Sequence, residues 1–557
     1  MKKYILLFLL ATTFLSCEDF LDTTDLVRKN SENFPQTQEE LNNALTSVYS
    51  VLSTVASQDD GPFLCSTILG DECFGNGGPG DAAWQSLNRL LKAGENERSN
   101  SWSSSYMGIY RCNSILQVVE LNPNIPFSSE DARNQLLGEV YAMRAYYYFN
   151  LARMFGHFVP LRLKPIVENK PAATAEELYA QIGDDLNNAL TLLSNKSIQE
   201  LGASNVGHMT RWAAEALAAR VFLFYTGYYK KTELPTLSSP ITKEHVIKWL
   251  EDCMTNSGHS LLPDYRNNYM YGNQYTAIDY KYAKDNNLSW VGDAGGNTEA
   301  VFVVKYSKFA TNRWGLIFGI RNQSKEALYP FRDGWGATSV NPKFYKEWLS
   351  DEPKDIRRNA SVLDVSDPNE NLINFQWYVD QGEETGYYIK KVQNVNVHDA
   401  TGKIVNFSYI AYGGGDGQAD CCVDQIMIRY SDILLMHSEL KSEATGMNQV
   451  RARAGLSPVV YSLENLQKER RYELAFDGCR YYDLLRWYGT DAGVIIDKNQ
   501  NGAIYYRTGN EKKMNANMTT RVKETGGFLE IPKSEIDLAE GVLQQNPGWN
   551  GDVFYIP

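Results

Sequence analysis

Three glycine-rich stretches place tryptophan beside asparagine, aspartate or arginine, and these residues are well suited to bind a polar ligand. A tryptophan ring offers a flat apolar face, while amide, carboxylate and guanidinium groups hydrogen-bond hydroxyls in fixed directions. Recognition of a sugar requires this combination. The candidate contacts are Asp71, Asn76 and Trp84 in "GDECFGNGGPGDAAW", Asn312, Arg313 and Trp314 in "TNRWG", and Trp335 in "DGWGATSVN".

Core packing is the alternative role for every tryptophan, because large aromatic side chains are mostly buried. Phe, Trp and Tyr make up 12% of the chain, and a surplus of Trp and Tyr in loops is typical of a sugar-binding or interface surface. The tryptophans that lie within helical patterns are predicted to be core: Trp102, Trp212, Trp348 and Trp487.

Common catalytic and metal-binding spacings are missing from the sequence. The histidines form no HxxxH or HExxH pair, and neither GxSxG nor a Walker A loop occurs. "DKNQNG", which begins at Asp497, copies the start of an EF-hand loop, but Thr508 replaces the glutamate that completes such a site. We therefore predict no metal or other cofactor. A glycosidase stays open as an alternative, because its two carboxylates need only meet in space.

Charged residues recur every three or four positions in the segment 469–487. Each acid there has an arginine within reach, and an opposite charge favours the ionised form of a carboxyl group. This pattern predicts a structural ion-pair network rather than a general acid. The residues concerned are Arg470, Glu473, Asp477, Arg480, Asp483 and Arg486.

The overall charge argues against polyanionic partners. The net charge is −13, and no segment is rich enough in Lys or Arg to neutralise a run of phosphates. We predict no nucleic-acid partner. Cysteines occur without CxxC spacing, which indicates neither a disulfide framework nor a zinc site.

The N-terminal segment has the proportions of a secretory signal. A basic start, Met1 to Lys3, precedes an apolar run of about a dozen residues, whereas a membrane span needs roughly twenty. Phe14 to Cys17 resembles the lipobox of bacterial lipoproteins. That resemblance implies a signal peptide at 1–16, lipidation of Cys17 and a tether at 17–36.

Helical periodicity dominates the first half of the chain and returns near the end. Capping residues such as Ser128, Thr174 and Thr210 mark helix starts. Between the two helical regions, the chain is rich in Asn, Gly and Asp. A strand is predicted there at 300–307, together with shorter stretches in which apolar and polar residues alternate. Helices are predicted at 37–56, 99–121, 128–155, 174–194, 210–229, 424–455 and 462–488.

These elements predict a mostly α fold, in which TPR-like helical hairpins form a superhelical scaffold that carries an inserted, loop-rich and partly β ligand-binding face. We expect a single body over 37–557. Within it the scaffold covers 37–261 and 424–490, the insert 262–423, and a looped tail 491–557.

Several motifs resemble, in the same order, those of the SusD/RagB family of outer-membrane nutrient-binding lipoproteins. The N-terminal motif is "MRAYYYFNLARMFGHFVPL" at 143–161, and the C-terminal ones are "MIRYSDILLMHSEL" at 427–440, "NQVRARAGL" at 448–456, "ERRYELAFDGCRYYDLLRW" at 469–487 and "FLEIPKSEIDL" at 528–538. The resemblance spans nearly the whole chain.

The resemblance implies a lipid-anchored protein on the extracellular side of the outer membrane. Such a protein captures oligosaccharide or polysaccharide without cleaving it, and delivers it to a partner TonB-dependent transporter that it covers as a lid. The family also implies that loops after the first helix and after the central strand supply the stacking residues, where the three tryptophan stretches lie. The alternatives are a peptide-binding lid of the RagB type, a surface glycoside hydrolase, and a purely structural assembly protein.

Overall fold

The computed structural model describes residues 35–54, 59–372, 374–376 and 381–556. The predicted signal peptide and Cys17 lie outside these ranges. Within the described ranges, no helix is both long and apolar enough to cross a membrane.

The N-terminal half consists mainly of α-helices. Its elements are, in chain order, α1 Gln38–Ser50, α2 Pro62–Leu69, β1 Cys73–Gly75, α3 Ala82–Leu87, α4 Ser99–Leu121, α5 Glu130–Phe155, α6 Ala175–Leu192, α7 Ile198–Leu201, α8 Arg211–Tyr228 and α9 Lys243–Asn256.

Each helix predicted in this half is present, although α1 ends at Ser50, before the end of the predicted range 37–56. All of them except α4 begin at a side-chain cap. Thr174 accepts a hydrogen bond from the N–H of Glu177, whose carboxylate binds back to Thr174, so α6 begins with a capping box. The cap of α5 is Ser129, one residue after the predicted Ser128. Neighbouring helices then pack as hairpins. Gly108 lets α4 approach α5 closely, because an added Cβ would lie 2.4 Å from the ring of Tyr147.

The middle of the chain contains short helices and strands joined by loops. Its elements are α10 Thr276–Asp279, α11 Lys281–Asp285, β2 Ala300–Val304, α12 Trp314–Phe318, α13 Lys325–Leu328, β3 Thr338–Val340, α14 Pro342–Asp351, α15 Ile356–Ser361, β4 Val362–Asp364, β5 Tyr387–Ile389, β6 Asn396–His398, β7 Ile404–Asn406 and α16 Phe407–Tyr412.

Longer helices return after residue 424, followed by a looped tail. The elements are β8 Gln425–Arg429, α17 Tyr430–Lys441, α18 Thr445–Arg453, α19 Leu463–Glu473, α20 Arg480–Tyr488, α21 Ala492–Gln500, β9 Ile504–Arg507, β10 Asn510–Lys513, α22 Met518–Thr525 and α23 Lys533–Leu538. The strands of the described residues pair antiparallel, two by two, as β1–β3, β2–β8, β4–β5, β6–β7 and β9–β10.

Two predicted helices need correction. The segment predicted as a helix from 424 begins as strand β8, which pairs with the central strand β2. The helix predicted at 462–488 is broken between α19 and α20. Phe476 and Gly478 adopt positive φ angles of 61° and 71° there, a conformation that ends a helix. The charged residues of 469–487 therefore do not form one stripe.

Two hydrophobic cores support the molecule. The larger one lies among the long helices and includes Trp102, Trp212 and Trp348, which are confirmed as core, whereas Trp487 is only partly buried. The smaller core consists of residues between 265 and 423, many of them tyrosines. The division into scaffold and insert remains our proposal.

A buried ion-pair network joins these parts, as the charge pattern of 469–487 predicted. Glu473 is fully buried at the end of α19 and contacts Arg357, Arg429 and Arg453 at 2.9, 2.7 and 2.5 Å. Glu299 contacts both Arg429 and Arg453 at 2.7 Å. Burial alone would raise the pKa of Glu473, but its arginine neighbours outweigh burial and hold that pKa well below its usual range.

Replacing Glu473 by glutamine should destabilise the fold strongly. Three buried arginines would then lose a shared counter-charge, and breaking a buried pair costs about 3–5 kcal/mol. Urea unfolding followed by circular dichroism measures this change. Asp537→Asn is the control, because Asp537 forms an ion pair with Lys533 in which both side chains are exposed, and such pairs contribute about 0–1 kcal/mol. Equal unfolding midpoints for the two variants would contradict the role given to Glu473.

Candidate functional site

Two of the predicted tryptophans meet at a partly exposed surface. The rings of Trp84 and Trp335 lie nearly parallel, with centroids 6.4 Å apart and an angle of 29° between their planes. Both side chains keep part of their surface open to solvent. They belong to loop stretches separated by about 250 residues of sequence, so the fold brings them together.

Arg313, the third member of this group, comes from the remaining stretch. Its guanidinium carbon lies 4.8 Å from the ring centroid of Trp335, within the range of a cation–π contact. Arg313 also contacts Asp59, with Nη1 3.2 Å from Oδ2. We call the surface formed by Trp84, Trp335 and Arg313 the aromatic shelf.

Backbone pairing holds the shelf in place. Strands β1 and β3 are joined in register from Cys73 opposite Val340 to Gly75 opposite Thr338. Just beyond them, the N–H of Trp335 donates to the carbonyl of Leu316 at 2.7 Å. Gly75 cannot carry a side chain, because an added Cβ would lie 1.9 Å from the carbonyl oxygen of Trp84. The turn of α3 is therefore pressed directly onto β1.

A second ion pair lies beside Trp84. Arg321 contacts Asp81 at 2.9 Å, and Asp81 also accepts the N–H of Gly78 at 2.5 Å. Gly78 allows Arg321 to pass close to the loop, since an added Cβ would lie 2.8 Å from Nη2. Planar guanidinium and carboxylate groups thus lie next to the rings, as recognition of ligand hydroxyls requires.

Partial burial affects the carboxyl groups near the shelf. Burial raises the pKa of Asp59, and the nearby Arg313 opposes that rise. Burial raises the pKa of the neighbouring Asp60 to about 7, against the opposing effects of Arg98 and of hydrogen bonds from Ser101. Asp60 is almost fully buried, so it presents little surface to a ligand.

Asp71 and Asn76 lie beneath the surface, and we remove both from the candidate contacts. The two carboxylate oxygens of Asp71 accept hydrogen bonds from Arg480 at 2.7 and 2.8 Å. Burial alone would raise the pKa of Asp71, but Arg471 and Arg480 hold it well below its usual range. The Oδ1 of Asn76 accepts the N–H of Glu383 at 2.6 Å. The hydrogen bonds of Asp71 and Asn76 therefore stabilise the conformation of the loop that leads to Trp84.

Asn312 and Trp314 are also buried, so we do not retain them as candidate ligand contacts. Asn312 donates to the carbonyl of Val423 at 3.0 Å and accepts the N–H of Trp314 at 2.8 Å. The ring of Trp314 packs on Phe63, with centroids 4.8 Å apart. Arg313, which lies between them, is less buried and keeps about 15% of its side chain exposed.

Sequence reasoning missed Asp59, Asp81 and Arg321. They belong to the site through the ion pairs Arg313–Asp59 and Arg321–Asp81, which join distant segments. Residue type alone does not reveal such contacts.

The EF-hand-like stretch has a structural role. Asp497 accepts the backbone N–H groups of Met518 and Thr519, both at 2.8 Å, and so ties α21 to the start of α22. In the part of the chain that the structure describes, no group of three or more His, Cys, Asp or Glu residues is arranged to hold a metal ion.

Comparison with known proteins identifies the family. Residues 253–549 match the family described as "SusD family", and residues 19–223 match one described as "Starch-binding associating with outer membrane". The chain therefore belongs to the SusD family. A "SusD-like protein P25" of Formosa agariphila is 23% identical to it, over 98% of each chain.

Solved structures share the fold. A "Laminarin binding SusD-like protein" superposes with a TM-score of 0.68 at 23% identity, covering 92% of this chain and 100% of that one. Surface glycan-binding protein A from Bacteroides thetaiotaomicron, in complex with laminarihexaose, gives a TM-score of 0.67 at 20% identity, covering 92% and 99%. The predicted mostly helical fold is confirmed.

Replacing Arg313 by glutamine should raise the pKa of Asp59 further. Burial already raises that pKa, and the substitution removes the positive charge that opposes it. Carbon-13 NMR of the aspartate carboxyl groups, recorded as a function of pH, measures the change. Arg321→Gln is the matched control because Arg321 pairs with Asp81 instead. An unchanged or lower pKa of Asp59 in Arg313→Gln would contradict the conclusion that the charge of Arg313 lowers this pKa.

Proposed function

We propose that this protein binds oligosaccharides at the aromatic shelf, without cleaving them, and delivers them to an outer-membrane transporter. The observation that carries the proposal is the partly exposed pair of rings of Trp84 and Trp335, with Arg313 beside them. Indole faces suit the C–H faces of a sugar ring, and the guanidinium group can hydrogen-bond its hydroxyls.

The expected affinity is modest. Each stacking contact contributes on the order of 0.5–1.5 kcal/mol beyond its buried area, by analogy with aromatic pairs. Weak contacts suit a protein that must release its ligand to a partner. Several repeating units of one glycan can add avidity.

Relatives support carbohydrate as the ligand class. Two solved proteins with the same fold are described as laminarin binding and as a complex with laminarihexaose. Laminarihexaose is therefore a reasonable first probe, beside hexasaccharides of other linkages. Such a screen would identify the particular glycan that this protein binds.

A glycoside hydrolase is the second candidate, and the raised pKa of Asp59 is the observation that favours it. A general acid in such an enzyme needs a raised pKa and a second carboxylate nearby. However, Asp59 and Asp81 each contact an arginine, at 3.2 and 2.9 Å, and an adjacent positive charge favours the ionised form. We therefore favour binding without hydrolysis.

Replacing Trp84 or Trp335 by alanine should weaken oligosaccharide binding about 2- to 12-fold each, because one stacking contact is lost. Isothermal titration with a hexasaccharide that binds the unaltered protein measures this. Trp249→Ala is the matched control, since Trp249 is a partly buried tryptophan on scaffold helix α9.

Three outcomes would contradict the proposal. Equal weakening by Trp249→Ala would show that the effect is not local to the shelf. Binding of oligopeptides in preference to every hexasaccharide would favour the peptide-binding alternative. New reducing ends that appear with glycan and disappear in Asp59→Asn would establish a hydrolase.

We also propose that Cys17 carries the lipid and that residues 17–36 tether the body to the extracellular side of the outer membrane, next to a TonB-dependent transporter. The support is the lipobox resemblance, together with a family described as associating with the outer membrane. Acyl chains that bury many methylene groups anchor a protein stably, at about 0.8 kcal/mol per group.

Cys17→Ala should abolish incorporation of a labelled fatty acid and release the protein from the membrane fraction. The transporter should co-purify with the unaltered protein from solubilised membranes and not with the variant. Cys479→Ala is the control, because Cys479 is a partly buried cysteine of the body and should not affect labelling. Persistent label in Cys17→Ala would refute the anchor.

A further inference from the structure

A cavity of about 40 Å³ lies where the helices α5, α8, α17, α19 and α20 meet, and the shelf residues do not line it. We call it the arginine cavity, because four arginines line it: Arg153, Arg220, Arg470 and Arg486. Arg220 and Cys479 are the lining residues that stay partly exposed. The cavity therefore opens to solvent beside these two residues.

Three of these arginines are neutralised by three carboxylates. The ion pairs are Arg220–Asp432, Arg470–Asp432, Arg470–Asp483, Arg486–Asp483 and Arg486–Glu439, at 2.7, 2.7, 2.9, 2.7 and 2.5 Å. Burial alone would raise the pKa of Asp432 and of Asp483, but the arginines hold both pKa values below their usual range. These carboxyl groups are ionised, and the three arginines are balanced charge for charge.

Arg153 is the fourth arginine, and it has no acidic partner. The residue is only 8% exposed. Its Nη2 donates to Oδ1 of Asn150 at 2.7 Å, and its guanidinium carbon lies 5.3 and 4.8 Å from the ring centroids of Phe149 and Tyr482. Among the described residues it forms no ion pair, and its Nε has no hydrogen-bond partner. An amide and two rings stabilise this cation but do not neutralise it, and an unpaired buried charge is costly.

The other lining groups do not supply the missing negative charge. Asp483 is the one carboxylate in the described wall of the cavity, and its ion pairs already balance other arginines. Partial burial raises the pKa of the Cys479 thiol to about 11, against the effects of Arg220 and Arg470. Burial also raises the pKa of Tyr482. The thiol and the phenol are therefore neutral at pH 7, and one positive charge is left unbalanced.

Two of the arginines keep N–H groups available for a ligand. Arg470 and Arg486 direct all of their guanidinium nitrogens to carboxylates. Arg220 uses only Nε, which donates to Asp432 at 2.7 Å, and Arg153 uses only Nη2. An anion in the cavity would accept charge-assisted hydrogen bonds from the remaining N–H groups of Arg153 and Arg220.

We propose that the arginine cavity binds one small monovalent anion, chloride in particular, which neutralises Arg153. A single unbalanced charge calls for a single negative charge. The volume is sufficient, because a water-sized sphere needs only about 10–15 Å³. Such an ion would join α5, which carries Arg153, to α8, which carries Arg220, and so stabilise the scaffold. This site does not depend on the aromatic shelf or on its proposed function.

Bromide soaking tests the location of the site. Crystals of the protein grown without halide and then soaked in sodium bromide reveal bound bromide by its anomalous scattering, and bromide is a close chemical substitute for chloride. We expect an anomalous peak within the cavity, next to the guanidinium groups of Arg153 and Arg220. Bromide found only elsewhere on the molecule would overturn the proposal.

Calorimetric unfolding tests binding in solution. The Tm is compared in sodium chloride and in sodium gluconate at the same ionic strength, because gluconate is too large for the cavity. A ligand that binds the folded state raises the Tm in a saturable way. For a chain of 557 residues, chloride at ten times its Kd should raise the Tm by about 1 °C. An equal Tm in the two salts at every concentration would also overturn the proposal.

Arg153→Met removes the unbalanced charge and keeps an apolar side chain against the two rings, so it should abolish both the bromide peak and the chloride-dependent rise in Tm. Arg162→Met is the matched control, because Arg162 lies over the ring of Tyr106 at 4.5 Å, is partly buried and does not line the cavity. This control should keep the full rise. A rise that persists in Arg153→Met refutes the site, and if that variant does not fold, the two measurements on the unaltered protein decide.

Discussion

The buried charges around Glu473 and Glu299 are the constraint on which the rest of the structure depends. Removing such charges from water costs several kcal/mol per ion, so each must meet its partners in good geometry. The partners come from distant parts of the chain: Arg357 lies in the first turn of α15, Arg429 is the last residue of β8, and Arg453 is the last residue of α18. If every one of these buried charges is to be paired, the loop-rich region can occupy only one position against the helices. Arg313 and Trp335 belong to that region, so the network helps to place them beside Trp84 of α3.

Two successive lysines extend this connection. Lys390 points into the smaller core, where its ammonium group lies 3.5 Å from the ring centroid of Tyr282 and 2.6 Å from Glu370. Lys391 lies near the rings of Tyr265 and Tyr269 in the same core, and its ammonium group contacts Asp477 at 2.9 Å. It also donates to the carbonyl of Ala475 at 2.8 Å, and Ala475 belongs to the larger core. One short segment after β5 therefore fixes both cores to each other.

The sequence was sufficient for much of the fold but only for part of the candidate site. Helices with clear periodicity and caps, such as α6 and α8, could be predicted because their signals are local. The break between α19 and α20 could not, since nothing in the residue type of Phe476 indicates a positive φ angle. Among the predicted contacts, Trp84, Trp335 and Arg313 come together. Asp71 is buried instead, because its partner Arg480 lies 409 positions away, and contacts at that separation are not visible in a single sequence.

The burial of Asp71 has a consequence for how ligands would be received. This carboxylate ties the start of the Trp84 loop to α20, and Asn499 holds it from another side at 2.6 Å. The pairing of β1 with β3, and the close contact of Gly75 with the carbonyl of Trp84, then hold the backbone that leads into α3. The loop has therefore lost its conformational entropy during folding, before any ligand arrives. Binding of the proposed sugar ligand would therefore need little further ordering of the backbone, and shallow contacts would be enough for measurable affinity and rapid release.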